Sequence, residues 1–157
     1  MIETLQDFAG SFPGWLQWLA VAIVAMIPFV ESYTGTLIGV AIGLHPALAA
    51  SAAIAGNAAS MIGVVAITSR IRRRVQERRE PARPAHPAKP GRLRRLFERF
   101  GIPGVALFGH PTQISSAAMV GFGAKRTNVL VWELVSITAW GVLFAVVGGL
   151  GVTALEH

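Results

Sequence analysis

Cysteine is absent from this chain of 157 residues. That excludes disulfides and thiol chemistry and leaves the redox compartment unread. Charge is scarce over long distances: residues 13–30 carry none, and across residues 34–69 the one ionisable group is His45. Cationic side chains are missing from the first 69 residues altogether. All 14 Lys and Arg lie from Arg70 onward, and 12 of them fall within residues 70–99. No basic stretch opens the chain, which begins with Glu3 and Asp7, so a cleavable signal peptide is not predicted. Nucleophile–base pairs and metal-ligand spacings are missing too, so neither an enzyme nor a cofactor or metal site is predicted.

What is present is apolar. With 53% hydrophobic and 14% charged residues, the side chains could not cover the core of a soluble domain, and the composition predicts an integral membrane protein. The basic cluster beside an apolar segment marks residues 70–99 as cytoplasmic. It lacks the interleaved aromatics of a nucleic-acid surface, so no nucleic acid partner is predicted. Within it Pro81, Pro84, Pro87 and Pro90 recur every three residues, the period of polyproline II. Residues 70–90 then read as a basic, proline-rich linker. Residues 70–80 continue the preceding helix as its basic end, and the proline run is an extended spacer with Arg83, His86 and Lys89 along one edge and anionic lipid headgroups as its partner. Docking in a partner's aromatic groove is the alternative for the same proline run. The terminal Leu155, Glu156 and His157 look like the start of a purification-tag scar.

The rest of the chain reads as an all-α membrane protein built from two copies of one plan. Residues 1–11 form an amphipathic interfacial helix, with Ile2, Leu5, Phe8 and Phe12 on one face. Residues 13–45 form a re-entrant hairpin of two short apolar arms around a break at 28–35, where Pro28 removes a backbone donor and Gly35 loosens the chain. An ordinary spanning helix over 12–30, with Glu31 at the headgroups, fits the same residues. Residues 47–69 are a spanning helix. After the linker, residues 91–100 form a second interfacial helix, residues 102–124 a second hairpin broken at Pro111, and residues 127–151 a last spanning helix. With the linker cytoplasmic, the first hairpin opens outside and the second inside, which makes residues 1–69 and 91–154 an inverted-topology repeat.

Glu31 is the residue around which these elements turn. A carboxylate in hydrocarbon costs roughly 2.5–3.5 kcal/mol even on the lenient insertion scale, so such a group faces an interior cavity and a partner. There it can hold a proton and a cation in turn. His110, beside Pro111, either shares that proton or is hydrogen-bonded at a helix break. Thr112, Gln113, Ser115 and Ser116 line the same cavity or satisfy the freed backbone. Asn57 reads as an interhelical hydrogen bond or a substrate contact. Gly35, Gly39 and Gly43 recur every four residues and predict a packing face, which also makes a homodimer plausible on small-residue surfaces. Glu133, one to two turns into the last helix, reads first as reaching the headgroups and second as a functional acid.

The run Ile27, Pro28, Phe29, Val30, Glu31 with Gly39 to Gly56 and Asn57, and the stretch from Arg99, Phe100, Gly101 and Ile102 to Trp140, resemble the DedA-like membrane proteins. The likeness is greatest to the small multidrug-export branch related to them, and it covers most of the chain outside residues 70–90. It implies re-entrant hairpins in inverted repeat, a bacterial inner-membrane location and proton-coupled movement of amphiphilic drugs or lipid carriers. One departure stands out: arginines usually flank the second hairpin's proline in that family, and here the positions three away from Pro111 are Phe108 and Ile114. The expectation is therefore a proton-coupled exporter of amphiphilic or cationic small molecules. The alternatives are a flippase or scramblase for polyprenyl phosphate or phospholipid, and a scaffold that binds through its polyproline linker.

Overall fold

The computed structural model describes residues 1–77 and 91–155; the proline run at 81–90 lies outside them. Among the described residues all regular structure is helical. In chain order it comprises α1 (Ile2–Gly10), a 3-10 turn (Gly14–Leu16), α2 (Gln17–Ala25), α3 (Glu31–Ala41), α4 (Pro46–Glu77), α5 (Arg92–Phe108), α6 (Thr112–Phe122) and α7 (Arg126–Leu155). Two helices, α4 and α7, are long and apolar enough to cross a membrane. The pair of α1 and residues 14–25, bent by 119°, would supply a third span if counted as one.

Large apolar side chains lie on the surface, while polar and acidic ones are buried within an otherwise apolar core. Val135, Val142, Val146 and Leu150 of α7 and Ile67 of α4 are exposed. Meanwhile Glu31, Asn57, Gln113 and Glu133 are 0–3% exposed. Bilayer is the solvent that suits this distribution, because apolar side chains cost nothing there and polar ones must find partners inside.

The chain folds as two units, Met1–Met61 with Leu134 onward, and Ile62–Glu133; α4 and α7 each contribute to both. In the first, α1 and α2 pack against α3. One cluster gathers Ala9, Ala20, Val24, Val30 and Ile38, with Leu5, Phe12 and Ile42 against it. A second joins Val21 and Ala25 of α2 to Ala52 and Ala53 of α4. Small residues let these helices approach closely: a Cβ on Gly35 would lie 2.9 Å from Ala25 Cβ, and one on Gly39 2.6 Å from Ala49 Cβ. Gly43 does not join that face. It lies beyond the end of α3 at φ 93°, with nothing near its missing Cβ, and ends the helix in the left-handed turn that glycine adopts without strain.

Element boundaries differ from the periodic pattern for local reasons. The first break is confined to residues 26–30, so Glu31 opens α3 instead of lying in the loop. Hydrogen bonds from Met26 N to Ile23 O and from Ile27 N to Val24 O (3.1 Å each) tighten the end of α2 as the chain approaches Pro28. The Met26 carbonyl, freed by this break, accepts from Ser60 Oγ of α4 at 3.0 Å, and the Phe29 carbonyl accepts from Tyr33 Oη at 3.3 Å. Helix α4 agrees with the sequence reading and runs eight residues past Ser69 as a basic helix end, because Arg, Gln and Glu are good helix formers. In the second unit α5 packs on α6. The first part of α5 ends at Gly101 (φ 66°, ψ −160°), and Pro103 falls in the first turn of residues 102–108, where its missing N–H leaves no gap.

Candidate functional site

The sequence-predicted polar residues divide between the two units. Glu31 and Asn57 belong to the first; His110, Thr112, Gln113 and Ser115 belong to the second.

In the first unit Glu31 is fully buried. Its backbone holds the left-handed conformation (φ 55°), as does that of Phe29 (φ 76°) in the preceding turn, so the chain reverses around Pro28 within five residues. Ser32, equally buried, donates to the Ile137 carbonyl of α7 at 2.9 Å, and Thr36 Oγ1 donates back to Ser32 O at 2.6 Å. The first turn of α3 is thereby tied to α7, which fixes the backbone from which Glu31 projects. Asn57 lies on the buried face of α4, one position after Gly56. At Gly56 the α4 backbone meets α2 so closely that a Cβ would overlap the Ala22 carbonyl.

Two residues beyond Glu31, an aromatic series begins. The Tyr33 ring lies 5.6 Å from that of Phe144, and Phe144 lies 6.1 Å from Trp140. An apolar cleft of about 400 Å³ opens between α4 and α7, lined by Ala50, Ile54, Val142, Ala145 and Val146 with His45 at one end. Such a cleft can take the tail of a small amphiphile, and the π faces of aromatic rings attract cations.

In the second unit Thr112, Gln113, Ser115 and Ser116 are buried in the first turns of α6, and His110 is half-buried before them. The partner of Ser115 is a residue the sequence pattern misplaces. Glu133 is turned into the protein instead of extending outward: it is 0% exposed, and Ser115 Oγ donates to its Oε1 at 2.8 Å. Ser115 has a second acceptor, the Thr112 carbonyl at 3.2 Å, but one proton to give. With Glu133 charged, the shorter bond is the favoured one, because hydrogen bonds to an ionised acceptor are the stronger. With Glu133 protonated, the carboxyl can donate to Ser115 Oγ while Ser115 turns to Thr112. The hydroxyl thus satisfies both protonation states without moving the backbone. No family model, curated protein or solved structure matches this chain.

Several of these residues carry no sequence signal. Tyr33, Trp140 and Phe144 read as ordinary apolar positions of their helices. A polar face on α7 was legible in principle, since Glu133 and Ser136 follow helical spacing. Among the described residues no group of three His, Cys, Asp or Glu side chains converges to hold a metal ion.

Proposed function

We propose that this chain is a membrane transporter that exports amphiphilic cations in exchange for protons, with Glu31 holding either in turn. The observation that carries this reading is the complete burial of the Glu31 carboxyl at a broken helix start, in a protein whose exterior is apolar. A carboxylate held in a low-dielectric interior is costly in its charged form, and taking up a proton or a cation lowers that cost.

The cargo class follows from the surroundings. The series Tyr33, Phe144 and Trp140 supplies π faces near an acid, and the α4–α7 cleft supplies apolar volume; together they suit a cation with a greasy body. In this reading α2–α3 and α5–α6 are re-entrant hairpins that enter from opposite faces of a bacterial inner membrane, as two halves of an inverted repeat. Each consists of two short helices around a proline-bearing break, Pro28 in one and Pro111 in the other. The resemblance to the small multidrug-export branch of DedA-like proteins agrees with this. Glu133, with Ser115 able to serve either protonation state, is assigned as a second carboxyl that loads and releases a proton.

Proteoliposome flux tests the reading. A pH gradient is expected to drive a lipophilic dye cation in vesicles holding the parent, and Glu31→Gln is expected to lower that flux by about tenfold or more, some 1.4 kcal/mol per decade. Equal flux in parent and variant would remove Glu31 from the mechanism. Passage of labelled polyprenyl phosphate or phospholipid without dye movement would replace cation export with lipid translocation.

A further inference from the structure

We infer that the cytoplasmic end of the second unit carries a binding site for a phosphate group, of the kind borne by anionic lipid headgroups, built from Arg72, Arg73 and Arg126. Ser69, Arg72, Arg73 and Gln76 recur at i, i+3, i+4 and i+7, so they form one face of α4. That face lines a cleft of about 300 Å³ whose far side is Ala124 and Arg126, with Val120 of α6 as its apolar floor. Arg72 is drawn inward over the end of α6: its Nη2 lies 3.3 Å from where a Cβ on Gly123 would stand.

The guanidinium groups have donors to spare. Among the described residues neither Arg72 nor Arg126 forms an ion pair, and Arg73 has only a loose, exposed contact with Glu77 at 3.8 Å. Arg94, by contrast, is occupied, with Glu98 at 2.9 Å and the ring of Phe122 at 5.8 Å. Several cations held around one polar cleft repel each other until an anion joins them, and the planar fork of arginine matches the oxygens of phosphate two at a time.

Depth selects the source of that phosphate. From Pro46 to Ser69 helix α4 is apolar for about 36 Å, slightly more than the hydrocarbon core, so Arg72 stands at headgroup level. Basic pockets at that level between membrane helices take anionic headgroups. The site is independent of what the protein transports and needs no residue of the Glu31 region.

The test uses purified protein in detergent with phosphatidylglycerol or phosphatidylcholine added at equal mole fraction, and bound lipid counted by native mass spectrometry. The parent is expected to retain phosphatidylglycerol over phosphatidylcholine. The Arg72→Gln, Arg126→Gln pair is expected to lower that preference by at least about tenfold, while Arg74→Gln, an exposed arginine outside the cleft, leaves it intact. Arg72→Lys keeps the charge but not the fork, and should fall between, which separates recognition from misfolding. Inorganic phosphate is titrated in a parallel melting experiment. Stabilisation of the parent but not of the paired variant, without a lipid preference, would support the phosphate site and assign it to a soluble ligand. Equal lipid retention in all proteins with no effect of phosphate, or an equal loss in Arg74→Gln, would overturn it.

Discussion

Gly56 and Gly63 lie seven residues apart on α4, nearly on one face of the helix, yet they do different things. A Cβ at Gly56 would collide with the Ala22 backbone carbonyl, and one at Gly63 would meet nothing within 4 Å. Backbone cannot yield as a side-chain tip can, so Gly56→Ala is expected to destabilise the protein by about 1–3 kcal/mol, the range of overpacked cores. Gly63→Ala should be neutral or slightly stabilising, since alanine is the better helix former. Melting temperatures of the two variants check this, and equal melting would disprove the close approach. The distinction is illegible in the sequence, because what separates these glycines is the path of α2 beside one of them. Glu31 was legible for the opposite reason: a lone acid in an apolar run is conspicuous whatever surrounds it. Glu133 was not, since an acid two turns into a helix that starts with Lys125 and Arg126 could extend to the headgroups. Only the arrival of Ser115, 18 residues away in sequence, shows that the side chain is turned into the protein.

At the scale of elements, proline and glycine placed the breaks well and their exact residues less well. The sequence reading ends this helix at residue 100, and the chain turns at Gly101, which adopts a φ and ψ (66°, −160°) open to glycine and strained for any other residue. Proline two positions later is tolerated in a first helical turn, so it follows the break instead of making it. Gly101→Ala is accordingly expected to cost about 1–3 kcal/mol, read as a lowered melting temperature. Pro103→Ala should cost less than 1 kcal/mol by the same measurement. If Gly101→Ala melts with the parent, the kink is not held by that residue. The continuation of helix α4 past Ser69 was legible, because arginine, glutamine and glutamate carry a helix on readily.

For the molecule as a whole, the apolar exterior around buried acids and amides was foreshadowed by composition alone. Sidedness is the proposal that remains to be measured, and a chain without cysteine is well suited to it because every label reports one introduced site. Gly14 and Gly121 have open space around them, and Arg74 is exposed, so each accepts a cysteine. In intact cells Gly14→Cys is expected to react with a membrane-impermeant maleimide, and Arg74→Cys and Gly121→Cys only after permeabilisation. Labelling of Gly14→Cys and Arg74→Cys from the same side would end the inverted-repeat reading.

One residue sets longevity against work. Glu31 holds a backbone conformation in which asparagine rests more easily, by about 1 kcal/mol, and it buries a group that a neutral amide could replace at lower cost. Glu31→Asn is therefore expected to survive heating better than the parent while its dye flux falls, both measured on one preparation. Hardiness would rise as turnover vanished, and this small membrane machine would be seen to run on a position it could occupy more comfortably at rest.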